Sequence, residues 1–324
     1  MKTNQKIVVL IFASLAMMSC LKEEIPIQLE QGTVQINQVE MGPGYEHQIY
    51  FNLENNEIVS QNLRTDWDIA FEAKSGGWHV ILNSSLGGKA ANSGSSDFND
   101  VVSLNGNEVW RVDDPTGNLD STAIGNYTAT NNVYIVDRGY NISGGAIGLK
   151  KVKIEYLSSS DSYQFRCASL DGTNDFTQII EKDTNYNFIA FSLTTNGLVD
   201  IEPLKYNWDL LFTKYLEIFP GVGPYGLTGV LTNTFQLVEV ATDTLLEFDS
   251  ISLDIVEQFD FSNHMNAIGW DWKSYDFSSG GFSVDSDINF VIKNTNGMYY
   301  KLRFIDFYND LGEKGAPKFE LQKL

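Results

Sequence analysis

The chain has 324 residues, 43% hydrophobic and 13% aromatic, with 27 Gly against only 7 Pro. That composition suits a folded protein with a sizeable core and excludes disorder. Lys and Arg number 22 and Asp and Glu 42, a net charge of -20; such a surface repels phosphate backbones and excludes nucleic acid as a partner.

At the start, Lys2 and Lys6 precede an apolar run from Ile7 to Met18, interrupted only by Ser14. A bilayer core needs ~20 apolar residues, so the run has the length of a signal-peptide core and not of a span. Leu15-Ala16-Met17-Met18-Ser19-Cys20 then looks like a bacterial lipobox, in which Cys20 becomes the lipidated N-terminus. Residues 1–19 are expected to be the signal peptide and 20–43 a lipidated tether. Cys20-Leu21-Lys22-Glu23-Glu24 resembles the lysine-plus-two-acids signal that sends Bacteroidetes lipoproteins to the cell surface. The expected location is therefore the outer membrane, facing outward, with membrane contact only through the N-terminal lipid.

With Cys20 lipidated, Cys167 stands alone, so no intramolecular disulfide is possible. It follows Tyr163-Gln164-Phe165-Arg166, which alternates like a strand, and reads as a plain strand cysteine.

From about residue 44 the chain repeats itself. Ile49-Tyr50-Phe51-Asn52-Leu53 returns as Ile189-Ala190-Phe191-Ser192-Leu193, and Trp67-Asp68-Ile69-Ala70-Phe71 as Trp208-Asp209-Leu210-Leu211-Phe212. Ala123-Ile124-Gly125 returns as Ala267-Ile268-Gly269, and Lys151-Val152-Lys153-Ile154 as Lys301-Leu302-Arg303-Phe304. The order is kept and the spacing widens slowly, as in a duplication with insertions. Two copies are expected, 44–180 and 181–324.

The local pattern is β. Alternation predicts that Trp67, Ile69 and Phe71 share one strand face, and Trp208, Leu210 and Phe212 another. Runs at 288–293 and 299–307 flank Asn294-Thr295-Asn296-Gly297 and read as a hairpin. Val133 to Val136 and Lys151 to Ile154 look like its counterpart, around a longer Gly139–Gly148 loop. Thr244 to Phe259 is ambiguous. The fold class is all-β, mostly antiparallel, in duplicated sheet units.

Trp208-Asp209-Leu210-Leu211-Phe212-Thr213-Lys214-Tyr215, the Gly-rich loop after it and the closing hairpin through Gly312-Glu313-Lys314-Gly315 resemble the HmuY family of Bacteroidetes lipoproteins. The resemblance is best over about 186–324 and fainter over 47–170. It implies haem or a related porphyrin as ligand, and a TonB-dependent outer-membrane receptor as partner. In the family, haem iron is held by two axial side chains from loops of the second half, histidines or methionines. At the second of those positions this chain reads Asp271-Trp272-Lys273-Ser274-Tyr275-Asp276, without His or Met.

Haem iron takes His, Met, Cys or Tyr in an apolar slot. The ligand candidates are His264, Met265, Met298 and Tyr275, with Trp270 and Trp272 as pocket walls. An extended segment would send His264 and Met265 to opposite faces. His79 and His47 read as structural or solvent-facing. No metal site and no enzyme are expected: Gly-x-Ser-x-Gly and His-Glu-x-x-His are missing. Asp285-Ser286-Asp287 starts like an EF-hand loop, but Phe290 and Asn296 stand where Gly and Glu are needed. The repeated Asp68 and Asp209 read as fixing strand ends or turns. The competing reading is a non-haem β scaffold that binds a glycan or a partner protein.

Overall fold

The computed structural model describes residues 31–324, so the signal peptide, Cys20 and the start of the tether lie outside the described residues. In the first leg of the chain the strands are β1 (Gln35–Gln38), β2 (His47–Asn52), β3 (Glu57–Leu63), β4 (Ile69–Glu72), β5 (Val80–Leu82), β6 (Lys89–Asn92), β7 (Tyr134–Asp137), β8 (Leu149–Leu157) and β9 (Ser162–Ala168). In the second leg they are β10 (Phe176–Glu181), β11 (Phe188–Ser192), β12 (Gly197–Val199), β13 (Leu210–Phe219), β14 (Gly223–Thr232), β15 (Glu239–Asp243), β16 (Lys273–Asp276), β17 (Gly281–Val284), β18 (Asn289–Lys293), β19 (Tyr299–Tyr308) and β20 (Lys314–Lys323). Short 3-10 helices are the helices among these residues, and the ambiguous Thr244–Phe259 segment holds two of them, Phe248–Ser250 and Leu253–Gln258. The all-β, antiparallel class is what the alternation predicts.

Four sheets carry the fold, in the orders β1-β20-β19-β18-β15, β10-β9-β8-β7-β6, β12-β11-β4-β5 and β14-β13-β2-β3. The two four-stranded sheets draw strands from both 44–180 and 181–324, whereas β10-β9-β8-β7-β6 belongs to the first segment. The recurring motifs pair with one another: Ile49 faces Phe212 and Phe51 faces Leu210, while Ile189 faces Phe71 and Phe191 faces Ile69. The leading strand β1 crosses over onto β20, while β10 folds back on its neighbour β9. Segments 44–180 and 181–324 thus interleave, and residues 31–324 form one compact unit.

Three apolar layers follow from the strand period. Ile49, Phe51, Leu210 and Phe212 enter one core with Phe290, Phe304 and Phe319. Ile69, Phe71 and Phe191 enter a second with Val152, Phe165 and Cys167. The residues between them, Tyr50, Ala70, Ala190 and Leu211, turn the other way and meet in a central layer. The two four-stranded sheets are therefore apolar on both faces.

Two expectations change. Trp67 and Trp208 pack in the central layer and not with Ile69, Phe71, Leu210 and Phe212. Both tryptophans precede the strand that follows them, so the period-two rule does not reach them. Residues 35–38, read as part of the tether, form β1, and Val39 and Met41 are fully buried. The predicted hairpins are present: β18 pairs with β19 and β7 with β8.

Candidate functional site

The sequence-derived ligand candidates sit in different surroundings. His264 is exposed on a loop. Met265, its neighbour, is fixed at both backbone atoms: its N–H donates to the Thr116 carbonyl and its carbonyl accepts from Thr232 N–H, each at 2.8 Å. Its side chain packs in the central layer. Met298 packs against a different core, with Phe290 and Phe304. Tyr275 is 43% exposed on the β16–β17 hairpin, edge-on to Phe277 and beside Phe282. The segment is not extended, since the His264 carbonyl accepts from Ala267 N–H at 3.1 Å in a turn, and Met265 and Met298 pack in different cores. Trp272 is fully buried and stacks on Phe304 at 3.8 Å, so it lines a core and not a pocket. Trp270 is half-buried in the central layer, edge-on to Phe219.

The remaining singled-out residues have structural partners. His79 Nδ1 lies 2.6 Å from the Glu72 carboxylate, and its ring stacks on Trp78. His47 begins β2 and pairs with Leu63. Burial in the second core pushes the Cys167 thiol up to about 12. No cluster of three or more metal-ligating His, Cys, Asp or Glu exists among the described residues.

A cavity of about 130 Å3 opens in the central layer, walled by Trp67, Trp208, Tyr215 and Met265. Three carboxyls border it, and all are engaged; Asp114 accepts from the Thr116 N–H and hydroxyl. Asp113 accepts from Leu82 and Ala123 N–H groups, and Glu202 from Asn187 and Phe188 N–H groups and the Trp208 indole. Burial raises Asp113 to about 6 and Glu202 to about 7. Small-molecule pockets span ~300–1,000 Å3, so this space is too small for a porphyrin.

A second cleft is larger, about 670 Å3. One wall is the long β13–β14 hairpin, through Lys214, Leu216, Pro224 and Tyr225; the other is the 3-10 turn Ser84–Leu86, Trp110 and the loop carrying Tyr140. Gly139 brings that loop in. Its φ is +73, and a Cβ there would lie 2.0 Å from the Leu86 carbonyl oxygen, so only glycine allows the approach. The next residue, Tyr140, donates its N–H to the same carbonyl at 2.8 Å. Tyr140 and Tyr225 are more than half exposed at the cleft.

Three cations reach the cleft. Arg64 is only 4% exposed; its guanidinium donates to the Ser85 carbonyl at 3.0 Å and the Asn141 carbonyl at 3.3 Å, and its Nε has no partner. Burial lowers Arg64, opposed by nearby Glu46. Burial and then Arg64 lower Lys214. Lys89 lies over the Trp110 ring at 5.1 Å and pairs with Asp137 at 3.4 Å. Sequence reasoning did not assemble this set: Lys214 sits in a quoted motif, but Arg64, Lys89 and Trp110 carry no spacing that ties them to it.

Comparison with known proteins gives one family. The model described as "HmuY protein" matches residues 44–321. No curated protein matches. Among solved structures, apo PinO from Porphyromonas gingivitis aligns with 12% identity and a TM-score of 0.36, covering 90% of this chain and 97% of that one. The apo HmuY analog of Tannerella forsythia aligns with 12% identity and a TM-score of 0.27, covering 91% and 98%. Neither alignment supplies a residue-by-residue correspondence.

Proposed function

The chain belongs to the HmuY family, and from that premise we propose that it is a surface lipoprotein that captures haem or a related porphyrin and passes it to an outer-membrane receptor. The observation that carries this reading is the family match over residues 44–321, nearly the whole of the described chain. The lipobox at Cys20 and the acidic sequence after it support the surface location. The 670 Å3 cleft supports the ligand class, because a flat macrocycle needs a slot within the ~300–1,000 Å3 range.

Haem is cargo in this reading, and the protein must hold it firmly but reversibly. Of the candidates, His264 is exposed, Met265 packs in the central layer, Met298 in the first core, and Tyr275 on an exposed hairpin. Tyr140 and Tyr225 both border the larger cleft, and a phenol is a known haem-iron ligand type.

A haemin titration of the purified protein tests the proposal. A saturable one-to-one Soret band is expected, and it should persist in the His264→Ala, Met265→Ala double variant. Absence of any band beyond that of an unrelated acidic protein would sink the haem reading. Loss of the band in the double variant would return the site to the His264 loop.

A further inference from the structure

The protein carries a net charge of -20, yet no Asp or Glu lines its larger cleft, and three cations do. Surface cations in an acidic protein ordinarily find carboxylate partners. Among the described residues Lys89 has Asp137, but Arg64 and Lys214 make no ion pair. Arg64 is nearly fully buried with an unpartnered Nε. Burying a guanidinium with no ion pair beside a second cation costs free energy, and the arrangement becomes more favourable when anionic oxygens enter.

The rest of the lining fits the same kind of visitor. Trp110, Tyr140 and Tyr225 offer aromatic surface, and Leu216, Pro224 and Ile142 offer apolar surface. Gly226 has no side chain where its Cβ would come 3.0 Å from Lys214 Cε, so the lysine stem lies flat along β14 and leaves the space above open. The floor is rigid because the Lys214 strand is paired with β14 from end to end.

We propose that the cleft between the β13–β14 hairpin and the Tyr140 loop binds a flat aromatic ligand carrying two carboxylates, with Lys214, Arg64 and Lys89 facing the carboxylates and Trp110, Tyr140 and Tyr225 bordering the ring system. A porphyrin with its two propionates is such a ligand, and choosing it rests on the function proposed above. Recognition here comes from the carboxylates and the ring face, and the cations, not an axial histidine or methionine, decide affinity.

Metal-free protoporphyrin IX and its neutral dimethyl ester, titrated beside haemin, test this by quenching of tryptophan fluorescence. The diacid should bind with saturation, and the ester at least about tenfold more weakly. Lys214→Gln and Lys89→Gln should each weaken the diacid by about tenfold, since a charge-assisted hydrogen bond is roughly twice as strong as a neutral one. Neither variant should change the weak ester binding. Both variants keep the Arg64 contacts to Ser85 and Asn141, and unchanged circular dichroism verifies their folding. If haemin and the diacid bind but the ester binds equally well and the variants match the native protein, this site is wrong while porphyrin capture stands. If no porphyrin binds, both fall.

Discussion

The Asp68 carboxylate accepts a hydrogen bond from the backbone N–H of Leu193 at 2.7 Å, across the two legs of the chain. The contact is mirrored: Asp209 accepts from Leu53 N–H at 2.8 Å. The backbones repeat the relationship, with Asp68 N–H bound to the Phe191 carbonyl and Asp209 N–H to the Phe51 carbonyl, each at 2.9 Å. Each recurring Asp therefore ties the start of its own strand to the far end of a hairpin from the other leg.

The two aspartates differ in their second partner, and so should their loss. Asp68 also holds Arg138 in a two-point ion pair, with Nε at 2.7 Å. Asp209 instead accepts from the Thr295 N–H and hydroxyl. Asp68→Ala leaves a mostly buried guanidinium alone and should cost ~3–5 kcal/mol. Asp209→Ala strands uncharged donors and should cost ~1–3 kcal/mol. Urea unfolding midpoints measure both, and equal losses would refute the role given to Arg138.

Residues 44–180 and 181–324 should not fold when expressed separately. Each half would lack the partner strands of both four-stranded sheets, β12-β11-β4-β5 and β14-β13-β2-β3, and would expose the central layer around Tyr50, Trp208 and Leu231. Circular dichroism and proton spectra of each half, alone and mixed, check this. A cooperative thermal transition in either half alone would contradict the interleaving.

Lys273 is buried, donates to the Thr228 carbonyl at 2.5 Å and lies over the Trp272 ring. Burial lowers it to about 7. Between about pH 7 and the ordinary lysine value near 10 the unfolded chain then binds more protons than the folded one, so this group makes stability rise with pH in that window. Lys273→Met removes the effect. Any stability advantage of the variant over the native protein should be largest below pH 7 and shrink by pH 9.5. Melting temperatures of both proteins across that range decide it, and a pH-independent gap would mean the amine stays charged throughout.

Cys167 is fully buried and its thiol is shifted up to about 12. It should be inert to a water-soluble thiol reagent in the native protein and react completely in denaturant. The rate under native conditions then reports opening of the second core. Fast labelling at neutral pH without denaturant would show that this core is looser than its packing implies.

The sequence made some of this legible and hid the rest for definable reasons. Leu210 to Phe212 and Ile69 to Phe71 were readable as strands because their faces alternate. Trp67 and Trp208 were placed on the wrong face because each stands before its strand, where alternation carries no information. β1 was invisible because Gln35-Ile36-Asn37-Gln38 is polar and is held by backbone pairing to β20. For the ligand candidates, residue type was a poor guide: Trp272 and Met298 look like pocket residues but pack in a core. The cationic cleft draws Arg64, Lys89 and Lys214 from three separate segments, and no periodicity reports convergence of that kind.

The pairing of Gln35 with Leu321 and of Gln38 with Lys318 also sets a schedule. The strand made first waits for the strand made last, and synthesis at ~5–20 residues per second separates them by on the order of tens of seconds. During that interval β1 has no partner, and the five-stranded sheet it completes lacks both of its closing strands. Closure of this sheet is consequently late and joins strands far apart in sequence, which is expected to be slow. Truncation of residues 315–324 should remove most of β20, leaving β1 and β19 without their partner and the core around Phe290, Phe304 and Phe319 open.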